Sequence, residues 1–413
     1  MKARFRLRKG FLRKVLRRIV WLAYAIPFRE RLSAALEAME PPKRILVLAG
    51  AHVGDTVITT SIIPVLRSAY PEAEIGFLVG SWASMVIQGH QDISFVHIVD
   101  HWWHNRSRDS RLRKFLHYRK TRKAALPQIR DTGYDLALCV YPYLLPDFMD
   151  LAWKAKIPVR LGFSVSLFAP LATATVEAPS SPFVHQSAIQ AEVLRPLHLD
   201  PQHTAKRKAV LPESPPSAVQ ELCSLFGVSD LEETRYRIIH VGCGDPRREM
   251  PLDFWRDLAS ELSRQVTLLF TGRGSREAEN IGAITSGFGN CVSACDKLSW
   301  QGFVAAVRHA EVLYGVESMA GHVAAAVGTR SVVVYGGAAG VARWRPEGPA
   351  IVMTNHVPCA PCNLPWGCET MDCMRGITPR DLIGMDSQTQ PVLIRSREPV
   401  HTANTEPGQP GRK

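Results

Sequence analysis

The chain predicts an α/β protein of two successive domains, each built on a parallel sheet with crossover helices. Three observations carry this expectation. Its 413 residues exceed what a single hydrophobic core usually serves. Short apolar runs of the kind that form buried parallel strands alternate with helix-length stretches. The alternation stops at a proline-rich stretch, LPESPP at residues 211–216, and starts afresh beyond it.

The first half begins its pattern after Pro41 and Pro42. RILVL at 44–48 reads as a strand, followed by a polar turn and a helical stretch over about 56–69. Strand signals recur at 74–79, 95–99 and 135–140. In the second half, strands are expected at 237–241, 266–270, 312–315 and 331–335. Helices are expected at 253–263, 277–285, 300–309 and 322–327. These spans set the expected domains: 41–210, a linker region at 211–234, and 235–384. The tail, 385–413, is polar with Gly and Pro near its end and is expected to be disordered.

Residues 1–40 form a segment of their own. Nine Lys or Arg lie among the first 18 residues, and the stretch 5–28 spaces them among Phe, Leu, Val, Ile and Trp. It reads as a basic amphipathic helix lying in a membrane interface, with Trp21 and Tyr24 suited to the headgroup boundary. A secretory leader is disfavoured by its minimal apolar run and long charged region. No apolar stretch reaches the roughly 20 residues needed to span a bilayer.

Net charge is +12, and a second basic block runs over 106–123, where nine Lys or Arg face only Asp109. Such blocks suit phospholipid headgroups or phosphorylated glycans, and equally a solvated surface. Nucleic acid is excluded as the expected partner because no recognisable module accompanies the charge. Nine cysteines in a chain this long do not read as a disulfide framework and fit a reducing compartment.

In open α/β sheets ligands bind beyond the carboxyl ends of the strands, so the turns there carry the chemistry. The first, A-G-A-H-V-G-D-T at 49–56, puts Asp55 where a helix should begin; on local grounds it reads first as a helix cap. The turn at 242–251, G-C-G-D-P-R-R-E-M-P, offers adjacent arginines to a diphosphate. It lacks the third glycine of a dinucleotide fingerprint, which disfavours a nicotinamide oxidoreductase. The turn T-G-R-G-S-R-E places Glu277 at a helix opening, suited either to ribose hydroxyls or to the helix dipole. The turn after 315 runs V-E-S-M-A-G-H-V-A-A-A-V-G, with a small-residue helix starting near Gly321 whose free N–H groups can bind phosphate.

These turns, in this order, resemble glycosyltransferase family 9, the heptosyltransferases of lipopolysaccharide synthesis, over roughly 43–384. The most specific parts are G-D-T-V-I-T-T-S-I-I-P-V-L-R-S-A-Y-P, E-S-M-A-G-H-V-A-A-A-V-G and a C-P-C block. The resemblance implies a GT-B architecture, two Rossmann-like domains facing a cleft, with the acceptor on the first and an ADP-sugar on the second. It puts the catalytic base at Asp55, with Gly54 and Thr56 on the acceptor side. It puts the donor at Arg248, Glu277, Glu317, Ser318, Met319, Ala320, Gly321 and His322. Glu317 and Met319 replace the family's usual Asp and Gly, which leaves the donor sugar open.

The expected activity is inverting transfer, from ADP-heptose first among donors, to a lipid-linked or lipopolysaccharide-core acceptor. Alternatives are another nucleotide sugar or a non-catalytic nucleotide-sugar-binding member. The expected place is cytoplasmic, peripheral on the inner face of a bacterial inner membrane, with anionic lipid as partner. Catalysis is expected to need no cofactor. Cys359, Cys362, Cys368 and Cys373 are spaced compatibly with tetrahedral coordination of a structural zinc or iron, and equally with reduced thiols.

Overall fold

The computed structural model describes residues 34–143, 147–232, 234–245, 248–337, 340–355, 357–360, 362, 368 and 370–385, and the backbone of 393–397. The expected basic helix at 5–28 lies outside the described residues.

The first sheet has six strands: β1 (Arg44–Leu48), β2 (Glu74–Val79), β3 (Ile93–Ile98), β4 (Leu136–Cys139), β5 (Val159–Phe163) and β6 (Ala174–Val176), all pairing in parallel. Their order is β3-β2-β1-β4-β5-β6. The second sheet has seven: β7 (Tyr236–His240), β8 (Thr267–Thr271), β9 (Cys291–Ser293), β10 (Val312–Val316), β11 (Arg330–Val334), β12 (Ala350–Asn355) and β13 (Leu393–Arg397). It repeats the same winding in the order β13-β12-β11-β10-β7-β8-β9. In both, the direction of winding reverses beside the first strand, between β1 and β4 and between β7 and β10. At such a switch point neighbouring loops part and leave a crevice.

The central strands form because β-branched and leucine side chains bury on both faces. Four of the five residues of β1 are buried, and each such side chain contributes about 1.5–3 kcal/mol. The stretch expected as one helix is two, α1 (Val53–Thr59) and α2 (Ile63–Ala69), joined by a tight turn at Thr60–Ile62. Pro64 opens α2; lacking an N–H, it cannot continue the helix before it.

Three further departures have physical reasons. The basic block lies mostly in a 22-residue helix, α3 (Arg111–Thr132), whose buried Ala125 and Ile129 sit one turn apart among charges. The expected linker contains α6 (Pro216–Phe226); α4 (Met149–Lys154) and α5 (Gln186–Ala191) precede it. Its Ala218, Leu222 and Cys223 are buried, and it packs on α9 (Trp300–His309), so it belongs with the second sheet. Glu221 accepts from the Ser299 N–H at 2.8 Å and its hydroxyl at 2.7 Å, at the start of α9. Between these helices lie α7 (Leu252–Leu262) and α8 (Ser275–Thr285). The tail expected to be disordered supplies β13, which pairs in parallel with β12.

The halves meet where α1 packs on α10 (Met319–Val327). Away from that contact, His185 Nε2 bonds the Arg345 carbonyl at 2.8 Å, and Arg207 pairs with Glu347 at 3.0 Å. Burial works against the Glu347 carboxylate, yet His185, Ser187 and Arg207 hold it down at about 2. An ionised, hydrogen-bonded cluster therefore ties residues flanking α5 to the segment between β11 and β12.

Candidate active site

The two switch points open into one cleft of about 1910 Å3, lined from both halves. Asp55 enters it from the first. His52 precedes α1 in extended conformation, and Asp55, three residues on, accepts its backbone N–H through Oδ2 at 3.2 Å. The capping role and a place in the cleft are thus both present. Burial pushes the Asp55 carboxyl up to about 6, opposed by the His52 N–H and by the Arg106 charge. Near that value a carboxylate is ionised at neutral pH and still basic enough to take a proton.

Gly54 lines the cleft, and a Cβ there would lie 3.5 Å from the His322 ring and 3.6 Å from Met319. Thr56 does not line it: the side chain is buried and its hydroxyl donates to the His52 carbonyl at 3.0 Å.

The second half brings three groups. Arg248 Nη1 pairs with Glu317 Oε1 at 3.3 Å, with only 19% and 15% of the side chains exposed. Arg248 Nε and Glu317 Oε2 have no hydrogen-bond partner among the described residues. Burial raises the Glu317 carboxyl and Arg248 lowers it. Glu277 lies under two glycine turns: a Cβ on Gly242 would collide with its carboxylate, and one on Gly272 would lie 2.8 Å from Oε2. The Arg273 N–H donates to that oxygen at 2.9 Å, and burial still raises the Glu277 carboxyl.

Ser318 caps α10, which starts at Met319, two residues before the expected Gly321. Glu317, Ser318, Met319 and His322 line the cleft, whereas Ala320 and Gly321 are buried behind it. A Cβ on Gly321 would sit 3.0 Å from Pro346 and 3.4 Å from Val333, so the close approach there is to protein. Burial lowers His322 to about 4, leaving it neutral at pH 7.

Sequence reasoning missed residues that complete the cleft. Arg106, read as part of a surface block, lies against Gly244 of the opposite half, where a Cβ would collide with Nη1. Burial, then the Arg248 charge, disfavours its cationic form, while Asp55 favours it. Two guanidinium groups that repel across a cleft are relieved by an anion between them. His52 Nε2 meets His104 Nδ1 at 3.2 Å, and burial lowers the two rings to about 3 and 4. Their signal was one histidine inside the first turn, unreadable without its partner.

All nine cysteines are free thiols. Among the described residues no three His, Cys, Asp or Glu side chains are gathered to hold a metal ion. The four clustered cysteines are nonetheless neighbours: burial raises the Cys373 thiol, and Cys368, Cys359 and Cys362 add to the rise. The Met371 N–H donates to Cys368 Sγ at 3.3 Å.

Twin Rossmann-type sheets, with Asp55 and Arg106 from one facing Arg248, Glu277 and Glu317 from the other across one cleft, have the architecture of a GT-B-type glycosyltransferase. The chain belongs to glycosyltransferase family 9 (heptosyltransferase), whose sequence model matches residues 151–364. Solved structures share the fold. A family 9 glycosyl transferase from Veillonella parvula is 22% identical, with 76% of this chain and 87% of that one covered and a TM-score of 0.63. The E. coli ADP-heptose lipopolysaccharide heptosyltransferase II is 16% identical over 83% and 96%, with a TM-score of 0.64. An E. coli heptosyltransferase solved with ADP is 14% identical over 83% and 96%, with a TM-score of 0.58. No curated protein matches the chain.

Proposed function

We propose that the protein transfers heptose from ADP-heptose, with inversion, to a lipid-linked glycan acceptor of the lipopolysaccharide-core type. The observation that carries this reading is the split site: Asp55 and Arg106 from one half face Arg248, Glu277 and Glu317 from the other across one cleft. An acceptor hydroxyl attacks the anomeric carbon while Asp55 takes its proton, and the nucleoside diphosphate leaves from the opposite face. Arg248, Arg106 and the N–H groups at the start of α10 stabilise the charge that develops on the leaving phosphate. That role needs no divalent metal. Glu277 is assigned to the ribose hydroxyls and Glu317 to the sugar.

Calorimetric titration with ADP, UDP, GDP and CDP tests the donor. Selective ADP binding supports the reading, preference for another base overturns the donor, and no binding to any overturns the assignment of the cleft. A second reading, a nucleotide-sugar binder without turnover, is favoured by Met319, which lines the cleft where the family usually has Gly. Donor binding without transfer to any acceptor separates it.

Gly242→Ala is expected to leave the fold intact, because the atoms nearest its new methyl all belong to the end of the Glu277 side chain. The displaced carboxylate loses its ribose contacts, weakening nucleotide affinity about ten- to a hundredfold. Unchanged affinity removes Glu277 from the ribose side.

The cysteine cluster is proposed to hold a structural zinc or iron once its four thiols converge, with the N–H to Cys368 favouring the thiolate form. Stoichiometric metal in purified protein, lost in Cys368→Ser, is the expected result; metal-free protein of unchanged stability overturns it. The protein is further proposed to work at the inner face of a bacterial inner membrane. No described helix is long and apolar enough to cross a membrane.

A further inference from the structure

We infer that the outer face of α3, with Trp103 beside it, is a docking surface for an anionic lipid bilayer. Nine large hydrophobic side chains are exposed among the described residues, and four of them fall in one short stretch: Trp103 at 61%, Leu112 at 67%, Phe115 at 42% and Leu116 at 55%. Soluble surfaces scatter such groups singly; a cluster marks an interaction site.

The helix sets the geometry. Its inward face carries Tyr118, Ala125 and Ile129, which pack on the first sheet's core. Leu112, Phe115, Leu116, Arg119 and Lys123 recur at spacings of three and four, so they share a different face. The loop before α3 is pinned along it. His117 Nε2 pairs with Asp100 at 2.7 Å, Thr121 accepts the Asp100 N–H at 3.1 Å, and the His101 ring lies 4.9 Å from that of Tyr118. Trp102 stacks on His101 and meets Trp103 edge-on at 5.5 Å, which fixes the exposed indole near the helix.

Charge selects the occupant. Arg108, Arg111, Arg113, Lys114, Arg119, Lys120 and Lys123 have no carboxylate ion-pair partner among the described residues. The one acid of the block, Asp109, accepts from Ser107 at 2.9 Å. An apolar cluster rimmed by unpaired cations fits the headgroup and upper acyl region of anionic lipid, each Lys or Arg adding about 1 kcal/mol near such a surface. A soluble partner protein would have to supply acids on every side of an apolar patch. Arg113 and His117 of the same helix line the cleft, so this docking brings the cleft mouth to the lipid surface. The inference rests on the lipid-linked acceptor proposed above and gives that acceptor its route of entry.

The test uses the full chain with vesicles of phosphatidylglycerol and phosphatidylcholine against phosphatidylcholine alone. Wild type is expected to prefer the anionic vesicles. L112S/F115S/L116S is expected to lose at least about tenfold in partitioning while binding nucleotide as wild type does. Trp103→Phe is expected to remove part of the fluorescence that brominated lipid quenches. Unchanged partitioning of the triple variant overturns the inference, as does equal binding to neutral vesicles or quenching that Trp103→Phe leaves unaltered. A wild-type dimer that the triple variant dissociates, with vesicle binding intact, assigns the face to a second copy and also overturns it. Nucleotide titration stands apart: failure of wild type there sinks the donor reading and leaves the vesicle result standing.

Discussion

Asp55→Asn is expected to lower kcat by about 10²–10⁴-fold while leaving nucleotide affinity near wild type. The substitution is nearly isosteric, and an asparagine oxygen can still accept the His52 N–H that Asp55 accepts at 3.2 Å. What disappears is the proposed base, a carboxyl that burial raises to about 6. The sign of the pH dependence follows: the base works ionised, so wild-type kcat/KM rises as pH rises through about 6, and the variant lacks that limb. Stability moves the other way. Folding raises the Asp55 value above that of the unfolded chain, so the native state holds its proton longer and loses stability as pH climbs from about 4 to 6. Above that window the asparagine variant is expected to melt at a higher temperature than wild type. Transfer at the wild-type rate, measured with donor and acceptor in excess, would remove Asp55 from the role of base.

The second large effect is expected at Arg248. Removing its guanidinium takes away the charge proposed to meet the leaving phosphate and strands Glu317 in a mostly buried position. Arg248→Ala is expected to weaken donor-nucleotide binding about ten- to a hundredfold and to cost about 1–3 kcal/mol of stability. Arg248→Lys keeps the charge without the planar fork and should recover only part of the affinity. The double variant R248A/E317Q separates the two consequences. It no longer buries an unpaired carboxylate, so stability returns, while nucleotide binding stays weak. Nucleotide binding restored in the double variant would mean that Arg248 serves Glu317 and not the donor.

The parts of this architecture that rest on local signals were legible in the sequence. β1 with its following turn, the helix at 300–309 and the strand before Glu317 each follow from a short apolar run and its punctuation. The elements that escaped depend on distant partners. α6 looked like linker because its prolines dominate locally, while its burial depends on α9, about 80 residues away. β13 is short and more than half polar, and only β12 gives it a ladder. Arg106 carried the signal of a solvated charge; its place opposite Gly244 depends on how the two halves face each other. Thr56 erred in the reverse direction: it neighbours Asp55 in sequence, yet the helix turns its side chain inward, where it bonds the His52 carbonyl. Spacing along a chain names the turn that carries chemistry, but the rotation of each residue about the helix axis decides who takes part.

The split of the cleft between two separately wound sheets has a consequence for how such a protein can change. The group proposed to take the acceptor's proton comes from the loop after β1. Those proposed to grip the donor come from the loops after β7, β8 and β10 and, through Arg106, from the loop after β3. Neither sheet has to be rebuilt for the other's loops to be altered. Changes around Asp55 that leave Arg106 in place are expected to alter the acceptor taken without disturbing the nucleotide's seat, and changes in the loops of the second sheet to alter the sugar delivered. The α1–α10 contact is the constraint on that freedom, since both substrates must still be brought together across it.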